Sequence, residues 1–184
     1  MNSTDIIQIL TPDLVSNIKE LIKLRQEISK LEKQKNYGEA KKKKNVLRGI
    51  YRNLVEETIK MIQGNNITLS NIDEEEFIKP EGICEGIATG ITFKRTQLRK
   101  FFAEIKLIQE KTKSDEVNSI DITKLIPKLA YSQARGLIDD EFFKLMKELL
   151  NKVRKTKKKS DYDKFVTIFE SIIAYHHYYN PKED

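Results

Sequence analysis

Apolar residues recur at spacings of three and four along most of this chain, the period of helices that turn one face inward. The first stripe is Leu14, Ile18, Leu21, Leu24, Ile28 and Leu31. Thr11-Pro12-Asp13 stands in front of it as a start signal. It supplies a capping hydroxyl, a proline at the first helical position and an acid facing the helix dipole. Asn36-Tyr37-Gly38 breaks the run. A second stripe, Leu47, Ile50, Leu54 and Met61, ends near Gly64-Asn65-Asn66. Two amphipathic helices joined by a short turn predict an antiparallel hairpin, with the Lys41–Lys44 run as its solvated face.

Residues 64–92 are the least periodic part and predict a loop or short helices. Gly82, Gly86 and Gly90 are four apart. A phosphate cradle needs a further Gly-Lys-Ser/Thr ending, which is absent. A membrane helix-packing motif needs a membrane helix around it, also absent. A loop or a close helix contact is the remaining reading.

The carboxy-terminal half predicts four helices. The first runs from about Thr92 or Thr96 to Lys113, with Leu98, Phe101, Phe102, Ile105 and Ile108 inward. The second runs from near Asp121 to near Gly136, a residue suited to a helix end. The third, Asp139 to Lys157, buries Phe142, Leu145, Met146, Leu149 and Val153. The fourth starts at Ser160, with Asp163 as the far half of a capping-box variant. It buries Phe165, Ile168, Phe169, Ile172 and Ile173 and ends before Pro181. No segment alternates apolar and polar residues convincingly. The expected fold is therefore all-α: a helical bundle with an N-terminal helical hairpin extension.

Composition narrows the class. The 184 residues suffice for one domain plus an extension. Hydrophobic content of 39% against 34% charged residues describes a lean core under a charged surface. Seven Gly and four Pro are too few for a turn-rich β protein. The single cysteine, Cys84, excludes an internal disulfide and fits a reducing cytoplasm. No run of about 18 apolar residues predicts a membrane span. The start, Met1-Asn2-Ser3-Thr4-Asp5, lacks the regions of a signal peptide, and a cytoplasmic location is expected.

Net charge is +6 and the pI is near 9.2, which favours a polyanionic partner, nucleic acid first. Composition alone fits a solvated Lys-rich surface equally well. The charges are segregated, however. Acids gather at Asp73-Glu74-Glu75-Glu76, and bases at Lys41–Lys44, Lys94–Lys113 and Lys152–Lys159.

On a helical wheel, Arg95, Arg99, Lys106 and Lys113 fall within about 40° of one another on one flank of the Leu98–Ile105 face. Lys100 points away from that face. Two readings stay open: a stripe that follows a phosphate backbone, or cations whose stems cover the core edge. Lys128 and Arg135 are seven apart and lie on similar sides of their helix. Arg135, before Gly136, either completes the helix end or contacts RNA or a neighbouring subunit's acid. Tyr131, in a Leu-Ala-Tyr context, is expected in the core with its hydroxyl bonded. The run Lys152, Arg154, Lys155, Lys157, Lys158 and Lys159 reads first as a solvated connector and second as a nucleic-acid contact.

His176 and His177 point about 100° apart on a helix and do not readily grip one metal. With Cys84 they form no zinc-like spacing. His176 is expected to pack or hydrogen-bond, and Glu170 to pair with Arg99 or Arg135. No triad, no paired carboxylates with a base and no nucleotide loop are found, so no catalytic residue, cofactor or metal is expected.

Three segments then gain meaning together: Thr96-Gln97-Leu98-Arg99-Lys100-Phe101-Phe102, Pro127-Lys128-Leu129-Ala130-Tyr131-Ser132-Gln133-Ala134-Arg135, and Phe165 through Phe169-Glu170-Ser171-Ile172-Ile173-Ala174-Tyr175-His176-His177-Tyr178. In this order they resemble the small helical subunit of type III-A CRISPR effector complexes, the Csm family, over about residues 77–179. Ser171 stands where that family usually has Ala. The resemblance implies a non-catalytic, RNA-contacting structural subunit. It implies several stacked copies beside the backbone subunits that carry the guide RNA, and contact with the large polymerase-like subunit. It also implies a positively charged channel for the target RNA. Arg95, Arg99, Lys100, Lys106, Lys113, Lys128 and Arg135 are the candidates for sequence-independent grip on that RNA.

The resembling bundle, residues 77–180, is preceded by the hairpin extension of residues 1–66. The hairpin's stripe is open to packing on its own bundle, on the next copy or in a dimer. Two rivals to the RNA reading are a helical scaffold or adaptor that binds only protein, and a general nucleic-acid packaging protein.

Overall fold

The computed structural model describes residues 10–64, 66–93 and 95–180, with the side chains of residues 95–98 outside the description. Among these residues there are eight α-helices, one short 3-10 turn and no strand. β pairing is confined to two isolated bridges, Phe93 with Ile138 and Glu116 with Lys158.

Helix α1 spans Pro12–Lys33 and begins as its sequence predicts, with the Leu14 N–H donating to the Thr11 hydroxyl at 3.2 Å. Its stripe is buried from Leu14 to Ile28, and Leu31 is half-buried. Asn36 caps helix α2, Tyr37–Gln63, so Tyr37 and Gly38 lie in its first turn and the break falls at residues 34–36. Leu47 and Leu54 are buried, while Ile50 and Met61 are half-buried. The Lys41–Lys44 run is less free than a solvated face would be. Lys43 meets Glu27 at 2.7 Å and Lys44 meets Glu32 at 2.6 Å, clasping α2 to α1, and Lys42 pairs with Glu39 on its own helix.

After a 3-10 turn at Leu69–Asn71 come α3, Glu74–Ile78, and α4, Ile83–Gly90. Every residue of α4 from Ile83 to Thr89 is buried. The helix lies against α1, α2 and α8, and a helix covered on all sides carries no polar stripe. A Cβ at Gly86 would stand 2.9 Å from both Ile18 and Leu54, and one at Gly90 only 2.3 Å from the Tyr51 ring. The glycine spacing is therefore that of a close helix contact.

Four longer helices follow: α5 (Arg95–Lys111), α6 (Ser119–Ala134), α7 (Asp140–Thr156) and α8 (Lys159–Tyr179). Helix α5 ends two residues earlier than expected. Gly136 ends α6 in the left-handed region, at φ 64°. Helix α8 does not start on a Ser160 cap. Its N-terminal neighbour is Lys158, without a side-chain cap bond, and the Lys159 N–H donates instead to the Asp115 carbonyl at 2.8 Å. The Val117 N–H returns a bond to the Lys157 carbonyl at 2.8 Å, so backbone of the α5–α6 loop does the work expected of a hydroxyl.

Helix α6 rests mainly on α7, and α5 on α8. One apolar core runs without interruption from Ile18 and Leu54 of the hairpin through Ile87 of α4 to Phe142 and Phe169 of α7 and α8. The hairpin's stripe thus packs on its own bundle. Asp139 ties three parts of this core together. It accepts from the Tyr51 hydroxyl at 3.0 Å and from the N–H groups of Thr92 and Phe142 at 2.8 Å each. Burial holds its carboxyl above the ordinary range, against the pull of the Thr92 and Phe142 bonds. Among the described residues no helix is long and apolar enough to cross a membrane.

Two predictions follow from this packing. Gly90→Ala will destabilise the chain by about 1–3 kcal/mol through overpacking on Tyr51. Gly49→Ala, in α2 with nothing within 4 Å of the added carbon, will stabilise it by up to about 1 kcal/mol. Urea unfolding of both variants checks the pair.

The raised folded-state pKa of Asp139 means that the native chain holds more proton there than the unfolded one just above its ordinary 3.8. That contribution to stability is present at low pH and is lost as pH rises through the folded value. The stability of the wild type relative to Asp139→Asn will therefore fall as pH rises above the ordinary 3.8 and through the raised folded value, as read by unfolding at several pH values.

Candidate nucleic-acid interface

The core sets how α5 is turned. Ile105 is fully buried, and Phe101, Phe102 and Ile108 pack half-buried against the core. Phe101 lies edge-on to Phe169 at 5.6 Å between ring centres, and Phe102 stacks on the same ring at 6.1 Å. This rotation leaves Arg99 and Lys100 exposed.

Helix α6 turns Ile122, Leu125 and Leu129 inward toward α7. Tyr131 follows Ile122 by nine residues, about 180° around the helix. It is 63% exposed, which corrects the expectation of a core tyrosine. The misleading signal was its place next to Leu129-Ala130, because neighbours in a helix face different ways. The Arg135 guanidinium sits 5.4 Å from the Tyr131 ring centre and donates to its hydroxyl at 3.3 Å. Arg135 is also the C-cap residue of α6.

A groove of about 340 Å³ runs between α5 and α6, lined by Lys100, Phe101, Glu104, Lys128 and Tyr131. Lys128 reaches across it to Glu104 at 2.6 Å. Both side chains are partly exposed, so the pair contributes about 0–1 kcal/mol and opens readily.

The other sequence candidates lie elsewhere. Lys106 faces α8, where it meets Glu170 at 2.8 Å and sits 5.7 Å from the Phe102 ring centre. Glu170 is therefore the partner of Lys106, not of Arg99 or Arg135. Seating Phe101 and Phe102 on Phe169 brings Lys106 over α8, while Arg99 remains exposed and Arg135 belongs to the α6 side. Lys113 falls beyond the end of α5 and leaves the helical flank. The Arg95 side chain, like that of Leu98, lies outside the described residues. The structure thus gathers Lys100, Lys128 and Arg135 about one groove, with Arg99 exposed beside Lys100.

In the Lys152–Lys159 run, Arg154, Lys155, Lys157 and Lys158 are exposed. Lys152 departs from the connector reading: it is buried and donates to the Gly64 and Ile67 carbonyls at 2.9 and 3.0 Å. Burial, with Lys155 nearby, holds its ammonium below the ordinary value. His176 is buried with its ring centre 4.1 Å from that of Phe93, the packing role expected of it, and His177 is exposed. Cys84 is fully buried in α4, and burial pushes its thiol pKa up. Among the described residues no group of His, Cys, Asp and Glu is placed to hold a metal.

A model of the Csm2 Type III-A family matches residues 80–182, a little over half of the chain. The chain belongs to the Csm2 Type III-A family. It is a small subunit of type III-A CRISPR effector complexes, and that family is one of structural subunits. The Csm2 match begins just before α4 and takes in α5 to α8, hence the whole α5–α6 groove; α1 and α2 stand outside it. Comparison with curated proteins and with solved structures returns no match.

The exposure of Tyr131 in this Csm2 chain gives a direct test. Tyr131→Ala will change stability by no more than about 0.5 kcal/mol, as for other surface positions. Phe169→Ala, in the ring cluster beneath α5, will cost about 3–5 kcal/mol. Thermal and urea unfolding of the two variants measure the contrast.

Proposed function

We propose that the α5–α6 face of this Csm2-family subunit holds the RNA of the effector complex through its sugar–phosphate backbone. The observation that supports this reading is the groove itself. Lys100 and Lys128 flank it, and Arg135 lies over a solvent-exposed Tyr131 beside it. Cations beside an exposed aromatic ring suit a flexible strand, with phosphates on the charges and a base against the ring. Exchange of Glu104 for a phosphate on Lys128 costs little, since that ion pair is at the surface.

On this reading the guide RNA supplies sequence recognition by pairing, and the subunit adds charge and shape. Several copies stacked along guide and target multiply weak contacts into avidity. Each copy touches the backbone subunits, the large polymerase-like subunit and its own neighbours in the cytoplasm, and carries no catalysis. The hairpin of residues 1–66 acts as an extension of the residue 77–180 bundle and stabilises contacts between copies.

The test is target-RNA binding by the assembled complex carrying Arg99→Glu and Lys100→Glu. Affinity will fall tenfold or more, and the log–log salt dependence will become shallower by about 1–2. Unchanged capture overturns the assignment of this face. A pull-down that returns partner proteins without RNA points to the protein-only adaptor instead.

A further inference from the structure

Residues 30–52, around the turn of the hairpin, hold nine Lys and Arg against two Glu. That excess of seven is larger than the net charge of +6 of the whole chain, so the remainder of the molecule is close to neutral. Five of the nine, Lys30, Lys33, Lys35, Lys41 and Arg48, are exposed and form no ion pair among the described residues. Lys35 also occupies the left-handed region, at φ 58°, which glycine or asparagine takes with less strain.

Helix α2 sets part of this charge in a line. Tyr37, Lys41, Lys44, Arg48 and Arg52 follow one another at spacings of four, three, four and four. The helical repeat places them within about 80° of one another on one flank, over about 22 Å of helix. All five are exposed, and the Tyr37 side chain is open to solvent at 66%. Lys44 and Arg52 meet Glu32 at 2.6 Å and Glu141 at 3.0 Å, through surface cations that a phosphate can draw away. The line is held on a rigid element. Asn36 caps α2, and the Lys43–Glu27 and Lys44–Glu32 pairs clasp it to α1.

A nucleic-acid strand repeats its charge at every nucleotide and matches such a line, whereas the acids of a folded protein surface do not repeat. The open ring beside Lys41 offers a stacking platform for an unpaired base. We propose that this flank of α2 is a second RNA-binding strip, which grips single-stranded RNA by its phosphates and stacks a base on Tyr37. It lies outside residues 80–182, the segment that marks the family. Lys44 and Arg48 border the same cleft as Gly136, the residue after Arg135, so one strand can pass from the α5–α6 groove to the strip. Only that continuity rests on the α5–α6 reading.

Fluorescence anisotropy of a labelled oligouridylate with the full chain tests the strip. Lys41→Gln combined with Arg48→Gln, both at exposed positions, will leave the melting temperature in place. The pair will weaken binding about fivefold or more and make the log–log salt dependence shallower by about 1–1.5. Lys23→Gln combined with Lys60→Gln removes the same charge from exposed lysines of the hairpin that lie off the strip, and will weaken binding less than about twofold. Tyr37→Ala will weaken it about fivefold or more, and Tyr37→Phe will restore it. Equal loss in the two double variants, no effect of Tyr37→Ala, displacement of the RNA by polyglutamate as readily as by unlabelled RNA, or no RNA binding overturns the proposal. Arg99→Glu with Lys100→Glu in the same assay separates the two surfaces. If it abolishes binding while the strip variants change nothing, the strip falls and the groove stands. The reverse pattern supports the strip and removes the groove.

Discussion

With hydrogen in place of a side chain at residues 86 and 90, α4 comes close enough for Ile18, Leu54 and Tyr51 to pack on its backbone. The rest of the fold depends on that approach. Tyr51, pressed against Gly90, holds its hydroxyl on Asp139 at 3.0 Å. Asp139 in turn caps α7 through Phe142 and holds the Thr92 N–H just ahead of α5. A contact in the middle of the molecule therefore fixes where α7 begins and where the chain enters α5. Since α5 rests on α8 and α6 on α7, the groove between α5 and α6 inherits its shape from this arrangement.

The amphipathic helices were legible because each has one wet and one dry side. The stripes of α1, α7 and α8 name their own core residues almost completely, and Thr11 and Asp139 announce their helix starts through short polar side chains. Helix α4 was illegible for the opposite reason. Dry on all sides, it offers no period, and its one clue was the glycine spacing. The α8 start was misplaced because its orphan N–H is met by the Asp115 carbonyl, a long-range backbone partner that no local sequence signal records.

The candidate site was legible in part. Charge segregation and the segment resemblance point to α5 and α6. Which cations share a surface depends on how the helices are rotated and what crosses the gap between them. Lys106 and Lys128 each found an acid on a neighbouring helix, Glu170 and Glu104, and those pairings separate two residues that sequence treats alike. Lys152 looked like any member of a basic run, yet it completes carbonyls left open after the hairpin. Tyr131 could have been placed from the wheel, by its angle to Ile122, more safely than from its sequence neighbours.

The segment that marks the family begins at residue 80, whereas two of the walls around α4 come from residues 12–63. A chain cut back to the family segment would lose Ile18, Leu54 and Tyr51 from the α4 backbone and present that apolar surface to water. Such a fragment is disposed to self-associate and precipitate. In this protein, then, the helices that lie outside the family signature supply two walls of the core on which the part that carries it is built.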